Sequence, residues 1–205
     1  SQALEPLSVL AMAAGATKRI RLMTSIVLGP GGETTLLPRQ APTIDVLSGG
    51  PLTVGLGIGV RKNDYLAPGF DFHRRGRRAE EQLATLRRLW RGEELSDEVG
   101  AIGPRPSGTN GPELLIGGYV PAIVRRIAKW GDGYMAPGGG EPESLHKMWR
   151  EIERGWHEAG REGKPRWVGA SYYALGPNAV DHARRYINAN YGYNPDLAAQ
   201  RLRTL

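Results

Sequence analysis

The chain has 205 residues, of which 40% are hydrophobic and 23% charged, and this composition is that of a globular protein with one sizeable core. It contains no cysteine, which excludes a disulfide framework, a thiolate metal site and a cysteine nucleophile. The net charge of +6 comes from arginines in helical stretches where carboxylates lie close by. The alternation of aromatic and basic residues that stacks bases is absent, so we expect no nucleic-acid partner.

No apolar run approaches the roughly 20 residues of a membrane span, and the first residues lack the apolar core of a signal peptide. We therefore expect a cytoplasmic protein without a membrane partner. Because the first residue is Ser1 and not methionine, we also expect that a stretch of chain precedes it.

Short apolar strands alternate with amphipathic helices along the chain, which is typical of a parallel α/β fold. In chain order the prediction is helix 6–16, strand 20–28, helix 36–47, strand 52–60, helix 75–90, strand 114–116, helix 121–130, strand 133–135, helix 142–159, strand 166–175 and helix 179–190. The stretch 92–112 is rich in glycine and proline, predicts no element and is long enough for a lid or an insertion. A closed (β/α)8 barrel needs three strands more than these five.

Two of the predicted helices carry specific signals. In helix 75–90 the side chains of Leu83, Leu86, Leu89 and Trp90 form one apolar stripe, so this face is expected in the core. In helix 36–47, Pro42 lies in the interior, where a proline costs about 3 kcal/mol or produces a kink.

The sequence Ile116-Gly117-Gly118-Tyr119, between a strand and a helix, has the layout of an anion-binding turn. Glycines let the backbone approach a ligand, and the first N–H groups of the next helix are unpaired and positively polarised. At the carboxyl end of a barrel strand this is where a phosphate binds. The alternative is a tight turn that needs glycine only for its shape, and spacing alone does not separate the two.

Glycines occupy alternate positions of strand 52–60, at Gly55, Gly57 and Gly59, and therefore share one side of the sheet. They do not form a dinucleotide fingerprint, because they lie within a strand and not in a turn that opens a helix. Either they clear a face for a flat ligand, or they serve close packing or a strand bend. Asn63, just past the strand, is a candidate for hydrogen bonds to a heterocycle or a simple turn residue.

Groups that could perform chemistry by themselves are scarce. The four histidines, His73, His146, His157 and His182, show no metal-ligand spacing and are expected on the surface. There is no nucleophile elbow and no evident pair of carboxylates for acid and base catalysis. A chain that can hold a ligand but has little to react with it suits an enzyme whose organic cofactor supplies the reactive atom.

Several segments together resemble the luciferase-like monooxygenase family. They are residues 18–26, 40–50, 75–80, 116–118 and 130–134, together with the glycine-rich strand up to Gly59. They follow the order and nearly the spacing of that family, and they span almost the whole chain. The resemblance implies a single domain over residues 1–205 with the fold of a (β/α)8 TIM barrel. It also implies that this barrel is incomplete here, with strands three to seven present and the first two strands and the last one absent.

The resemblance also implies roles for particular residues. Ser25 and Ile26 match a non-prolyl cis peptide bond that backs the flavin ring. Gly59 and Asn63 match contacts to the ring or its side chain, and the 116–119 turn, with Ile116, Gly117, Gly118 and Tyr119, matches the backbone that holds the phosphate. The segment that often supplies a catalytic histidine is absent, so the resemblance names no acid or base.

The activity implied is that of a flavin- or deazaflavin-dependent oxidoreductase with coenzyme F420 or FMN as cofactor. Hydride transfer between F420 and a small organic substrate is the first expectation. The alternatives are an FMN-dependent monooxygenase served by a flavin reductase, a non-catalytic flavin-binding barrel, and a barrel enzyme that binds a phosphate ligand without flavin. Val60 replaces the glutamate of relatives that oxidise glucose 6-phosphate, so that activity is not expected. The resemblance further implies a homodimer.

Overall fold

The computed structural model describes residues 4–50, 52–139 and 141–203. Within them one parallel sheet has five strands in chain order: β1 Leu22–Leu28, β2 Leu52–Gly57, β3 Glu113–Gly117, β4 Gly133–Met135 and β5 Arg166–Val168. Because every pair of neighbouring strands is parallel, all the strands end at the same edge of the sheet. The predicted α/β class and parallel sheet are confirmed.

The helices lie between and after the strands. Their bounds are α1 Pro6–Ala16, α2 Leu37–Leu47, α3 Asn63–Leu66, α4 Arg75–Trp90, α5 Ala122–Trp130, α6 Pro142–Glu158, α7 Ala179–Tyr191 and α8 Pro195–Leu202. Short 3-10 turns occupy Gly29–Gly31 and Phe72–Arg74. The prediction missed α3 and α8, and the remaining six helices begin and end within about one residue of their predicted bounds. Each helix among the described residues is too short or too polar to cross a lipid bilayer.

Three strands are shorter than predicted: β1 begins at Leu22 instead of residue 20, and β2 and β5 end early. β2 stops at Gly57 instead of residue 60, since Gly59 has φ +67° and leaves the extended region. β5 stops at Val168 instead of residue 175. Among the described residues, the last backbone hydrogen bond between β4 and β5 runs from the N–H of Ala136 to the oxygen of Val168, 2.8 Å away.

The core lies between the sheet and the helices packed on it. The apolar stripe of α4 is confirmed, because Leu83, Leu86, Leu89 and Trp90 are all buried. The indole Nε1 of Trp90 donates to the oxygen of Pro38 at 3.2 Å and so ties α4 to α2. Pro42 stands inside α2, as the sequence indicated, and is buried there.

The stretch 92–112 contains no helix and only one isolated bridge, between Glu94 and Ala101. It is fixed to the sheet by Asp45, whose side chain is 3% exposed. One carboxylate oxygen accepts the N–H of Leu52 at 3.0 Å and the other accepts the N–H of Ser107 at 2.9 Å. This stretch therefore packs at the amino ends of the strands, far from the edge where the strands finish.

Candidate functional site

A cavity of about 470 Å³ opens where the strands end. Its walls come from β1, from the segments that follow β2, β3, β4 and β5, and from α4, α5 and α7. The carboxyl ends of parallel strands are where α/β barrels bind ligands, so the fold itself brings these segments together at a binding position.

The first wall is formed by the irregular part of β1. The Ser25-Ile26 peptide bond is cis, as the resemblance implied, and the register with β2 shifts between Thr24 and Val27. Ser25 and Ile26 both line the cavity. The hydroxyl of Ser25 donates to Sδ of Met135 at 3.6 Å, and Ile26 adds an apolar side chain to this wall.

The glycines of β2 make room for this irregularity. A Cβ on Gly55 would lie 2.2 Å from the backbone oxygen of Thr24, and a Cβ on Gly57 would lie 2.1 Å from Cδ1 of Ile26. Close packing therefore explains both glycines, and the space that they clear holds β1 rather than open solvent. Gly59 lies beyond the strand and lines the cavity itself.

The second wall is the turn from β3 to α5. Gly118 has φ +145°, and a Cβ on it would lie 2.5 Å from Cδ1 of Ile123, so the turn requires glycine for its own shape. The phenol of Tyr134 donates to the oxygen of Gly118 at 3.0 Å and holds the turn in place. Among the described residues, none accepts a hydrogen bond from the amides of Tyr119 or Val120. Both interpretations of this turn therefore hold: it needs glycine for its own shape, and it has the layout of an anion-binding turn.

The structure brings most of the predicted site residues together. Ser25, Ile26, Gly59, Gly117, Gly118 and Tyr119 line the cavity. Ile116 points its side chain into the core, where it is 2% exposed. Asn63 begins α3 as an exposed residue and is not part of the cavity lining. Its predicted contact to the cofactor ring or to the ring's side chain stays a prediction.

Two arginines in the cavity were missed in the sequence. Arg126 is 5% exposed and donates through Nε to Glu80 at 3.0 Å. Arg75 lies over the ring of Phe72, 3.8 Å from its centroid, and its buried Nε has no hydrogen-bond partner. Both arginines lie in the amino-terminal half of a helix, in motifs that look like an ordinary charged surface. Nothing in the sequence around these two arginines indicated that their side chains would line a cavity.

A third wall consists of tyrosines. Tyr172 follows β5, whereas Tyr186 and Tyr191 lie on α7, and all three line the cavity. The hydroxyls of Tyr172 and Tyr191 are hydrogen-bonded to each other. Burial raises the pKa of Tyr172, and the hydrogen bond to Tyr191 raises it further. This phenol therefore stays protonated near neutral pH.

Tyr119 separates this cavity from a second one of about 490 Å³, which lies against α6 and α8. Its hydroxyl accepts a hydrogen bond from Nη2 of Arg201 at 2.8 Å. Burial raises the pKa of Tyr119, against the opposing charge of Arg201. Arg201 is 1% exposed and lies on α8, an element that the sequence did not predict.

The four histidines are exposed, as predicted. Over the described ranges, no group of three or more histidine, aspartate or glutamate side chains is placed to hold a metal ion. Within the same ranges the cavity lining contains no carboxylate and no histidine. The site therefore offers backbone, phenols and guanidinium groups, and nothing among them is an electron carrier.

These features agree with comparisons against known proteins. A family model described as Luciferase-like monooxygenase matches residues 1–204. The chain belongs to this family. An uncharacterized protein of Mycobacterium tuberculosis is 32% identical over 160 residues, which cover 75% of this chain and 54% of that protein. The oxygenase component of a flavin-dependent trigonelline monooxygenase from Acinetobacter baylyi is 30% identical over 104 residues, 50% of this chain and 28% of that protein.

The chain thus spans about half the length, or less, of these curated relatives. Among solved structures, an F420-dependent secondary alcohol dehydrogenase in complex with an F420-acetone adduct superposes with a TM-score of 0.76 at 18% identity. The match covers 100% of this chain and 68% of that chain. Together with the parallel sheet in chain order, this likeness confirms the fold as the luciferase-like (β/α)8 barrel, five strands of which lie in the described residues.

Proposed function

We propose that this chain carries the cofactor site of an oxidoreductase, in which a flavin-type cofactor, FMN or coenzyme F420, binds in the cavity and a small organic substrate reacts there. The observation that supports it best is the backbone-lined side of the cavity, with the cis bond at Ser25-Ile26, Gly59 and the Gly117-Gly118 turn. A flat ring can approach such a surface closely. When bound, the cofactor supplies the electron transfer that these residues cannot.

The phosphate common to both cofactors fits the turn after β3. The amides of Tyr119 and Val120 have no acceptor within the described chain, and α5 begins directly behind them. Amides at a helix start bind anions through their N–H groups and through the helix dipole. Arg75 and Arg126 add positive charge to the same cavity. We assign the phosphate to this turn and the ring to Ser25, Ile26 and Gly59.

The chain's own residues then have two tasks. The backbone walls fix the cofactor, and the apolar lining, which includes Ile58, Val60 and Met135, keeps water from the reacting face. Among the described residues, the lining provides no carboxylate that would repel an anionic cofactor. We propose that the reacting substrate enters between the cofactor and the tyrosine wall.

FMN with oxygen is the candidate that the sequence relatives favour. Two relatives whose reactions are named are monooxygenases, and one of them is the oxygenase component of a flavin-dependent enzyme. F420 remains the second candidate because the chain superposes on the F420-dependent alcohol dehydrogenase. In the FMN case a reductase partner would supply the reduced flavin, and the homodimer expected from the family belongs to the same proposal.

Binding of the two cofactors to the full-length protein tests the proposal. We expect FMN or F420 to bind with a micromolar Kd or tighter, measured by quenching of its fluorescence. Gly117→Ala should weaken that binding at least tenfold. An added Cβ there would meet Cγ2 of Ile26 and the oxygen of Met135 at 3.4 Å, a distance that the fold tolerates, while it intrudes on the cofactor wall.

Gly169→Ala is the matched control, because its Cβ would meet nothing within 4 Å and the residue follows β5 at the same edge of the sheet. Both variants should keep the melting temperature within a few degrees. Failure of both cofactors to bind the wild-type protein, or equal affinity in the two variants, would refute the assignment of this cavity.

A further inference from the structure

The ionisable groups that line the cavity are two arginines and four tyrosines: Arg75, Arg126, Tyr119, Tyr172, Tyr186 and Tyr191. Guanidinium groups do not give up protons in proteins. In the described part of the chain, the phenols are therefore the groups of the lining that can donate a hydrogen bond and also act as weak acids. Three of these phenols lie on the side that we did not assign to the cofactor.

Two of the phenols form a pair. The hydroxyls of Tyr172 and Tyr191 are hydrogen-bonded, and their rings meet edge to face with centroids 6.1 Å apart at 85°. Each hydroxyl has one hydrogen to donate and two lone pairs. One O–H is used within the pair, so the second O–H remains available to a third group. Within the described residues no protein acceptor takes it.

The surroundings of the pair favour an acceptor that gains negative charge. The guanidinium of Arg201 lies 5.9 Å from the ring centroid of Tyr191. It also donates to the hydroxyl of Tyr119 in the same cavity wall. A positive charge near a phenol strengthens the phenol as a donor, and the effect grows in a buried site where water does not screen it.

The shape of this wall suits a ring. Tyr186 lies beside Tyr172 with ring centroids 6.3 Å apart at 53°, so the pair is flanked by a further aromatic surface. Ala136, Pro137 and Ala170 complete the apolar lining around it. Of the described residues in this part of the lining, none carries a carboxylate that would bind a cation. An uncharged compound with an aromatic ring and one exposed oxygen matches both the surface and the free O–H.

We propose that Tyr172 and Tyr191 form the substrate-oxygen site, where they donate a hydrogen bond to the carbonyl or hydroxyl oxygen of an uncharged aromatic substrate. This inference rests on the proposed function, since it places the substrate opposite the cofactor in the same cavity. The hydrogen bond orients the substrate carbon towards the cofactor ring, and it strengthens whenever negative charge develops on the oxygen.

The test uses the full-length protein without cofactor and two probes of nearly equal shape, para-fluoroacetophenone and para-fluoroethylbenzene, which differ in the oxygen. Ligand-detected fluorine NMR gives the Kd of each. We expect the wild-type protein to prefer the ketone about fivefold, as one net hydrogen bond predicts. Tyr172→Phe and Tyr191→Phe should each abolish that preference and leave ethylbenzene affinity within twofold.

Tyr173→Phe is the matched control, because Tyr173 is 84% exposed and does not line the cavity. It should keep the fivefold preference. The proposal is overturned if Tyr172→Phe and Tyr191→Phe retain the preference, or if they weaken both probes equally, since that result reports damage to cavity shape.

The same variants titrated with FMN and F420 separate this proposal from the proposed function. We expect their cofactor affinity to stay within threefold of wild type. A larger loss would mean that the phenols contact the cofactor, and would overturn the substrate-oxygen site. If neither cofactor binds the wild-type protein, the proposed function fails, while the ketone preference still tests the phenol pair on its own.

Discussion

The two ends of the sheet differ in how their polar groups are used. At the amino ends, which we call the base, Asp45, Glu113 and Asp132 are tied to the protein by hydrogen bonds. At the carboxyl ends, which we call the mouth, the amides of Tyr119 and Val120 have no acceptor within the described residues. At the base, polar groups are hydrogen-bonded within the protein and hold the strands together. At the mouth, polar groups remain available to bind a ligand.

Of the segments that resemble the family, some lie at the base and others at the mouth. Asp132, in the 130–134 segment, accepts the N–H of Leu114 and the Nη2 of Arg87 at 2.8 Å each, so it joins β3, β4 and α4. The 116–118 segment lies at the mouth and lines the cavity. A resemblance in sequence therefore reports fold-holding residues and ligand-holding residues alike, and only their position in the fold separates them.

The largest expected effect is on stability, at the base. Asp132→Ala removes two charge-assisted hydrogen bonds and leaves Arg87, whose side chain is 10% exposed, without its carboxylate partner. Such bonds contribute roughly 1.5–3 kcal/mol each, so we expect a loss of about 3 kcal/mol or more in urea unfolding. Asp97→Ala, at an exposed residue of the 92–112 stretch, should change stability by less than about 0.5 kcal/mol.

The cofactor affinity of folded Asp132→Ala should equal that of wild type, because the base does not line the cavity. A tenfold loss of cofactor affinity in the folded variant would contradict the claim that the base stabilises the fold without contributing to cofactor binding.

The sequence predicts the base better than the mouth. The bounds of α4 and β4 follow from local patterns, and those elements hold the base together. The Gly117-Gly118 turn was also visible, since a strand, two glycines and a helix are adjacent in sequence. The tyrosine pair was not, because Tyr172 and Tyr191 meet only through the packing of α7 beyond β5. The end of β5 was missed as well, because it depends on where pairing with β4 stops.

The next effect is on cofactor affinity, at the mouth. Arg75→Met removes a positive charge from the cavity and should weaken FMN binding about tenfold, or about 1.4 kcal/mol, with little change for phosphate-free riboflavin. Arg74→Met is the control, because Arg74 is exposed and lies outside the lining. Equal losses for FMN and riboflavin would show that Arg75 acts on the ring and not on the phosphate.

The smallest effect concerns the link between Tyr134 and the turn. Burial raises the pKa of Tyr134 to about 12, whereas a tyrosine in the unfolded chain ionises near about 10. Above about pH 10, Tyr134 loses its proton in the unfolded state before it does so in the folded state. The free energy of unfolding therefore falls as pH rises from about 10 to about 12. Below about pH 10 this contribution is fully present.

Tyr134→Phe should remove that part of the pH dependence and cost about 1 kcal/mol at neutral pH, since the hydrogen bond to Gly118 is lost. Urea unfolding at neutral pH and at high pH measures both changes. An unchanged slope of stability against pH in the variant would show that Tyr134 ionises as it does in the unfolded chain.

The central claim is that unbonded amides at the mouth hold the cofactor phosphate. Hydrogen exchange of the Tyr119 and Val120 amides, followed with and without the bound cofactor, tests it most directly. With FMN or F420 bound, we predict clear protection of both amides, and much weaker protection with the phosphate-free counterpart, riboflavin or its deazaflavin analogue. Unchanged exchange at both amides in a protein saturated with cofactor would contradict the account.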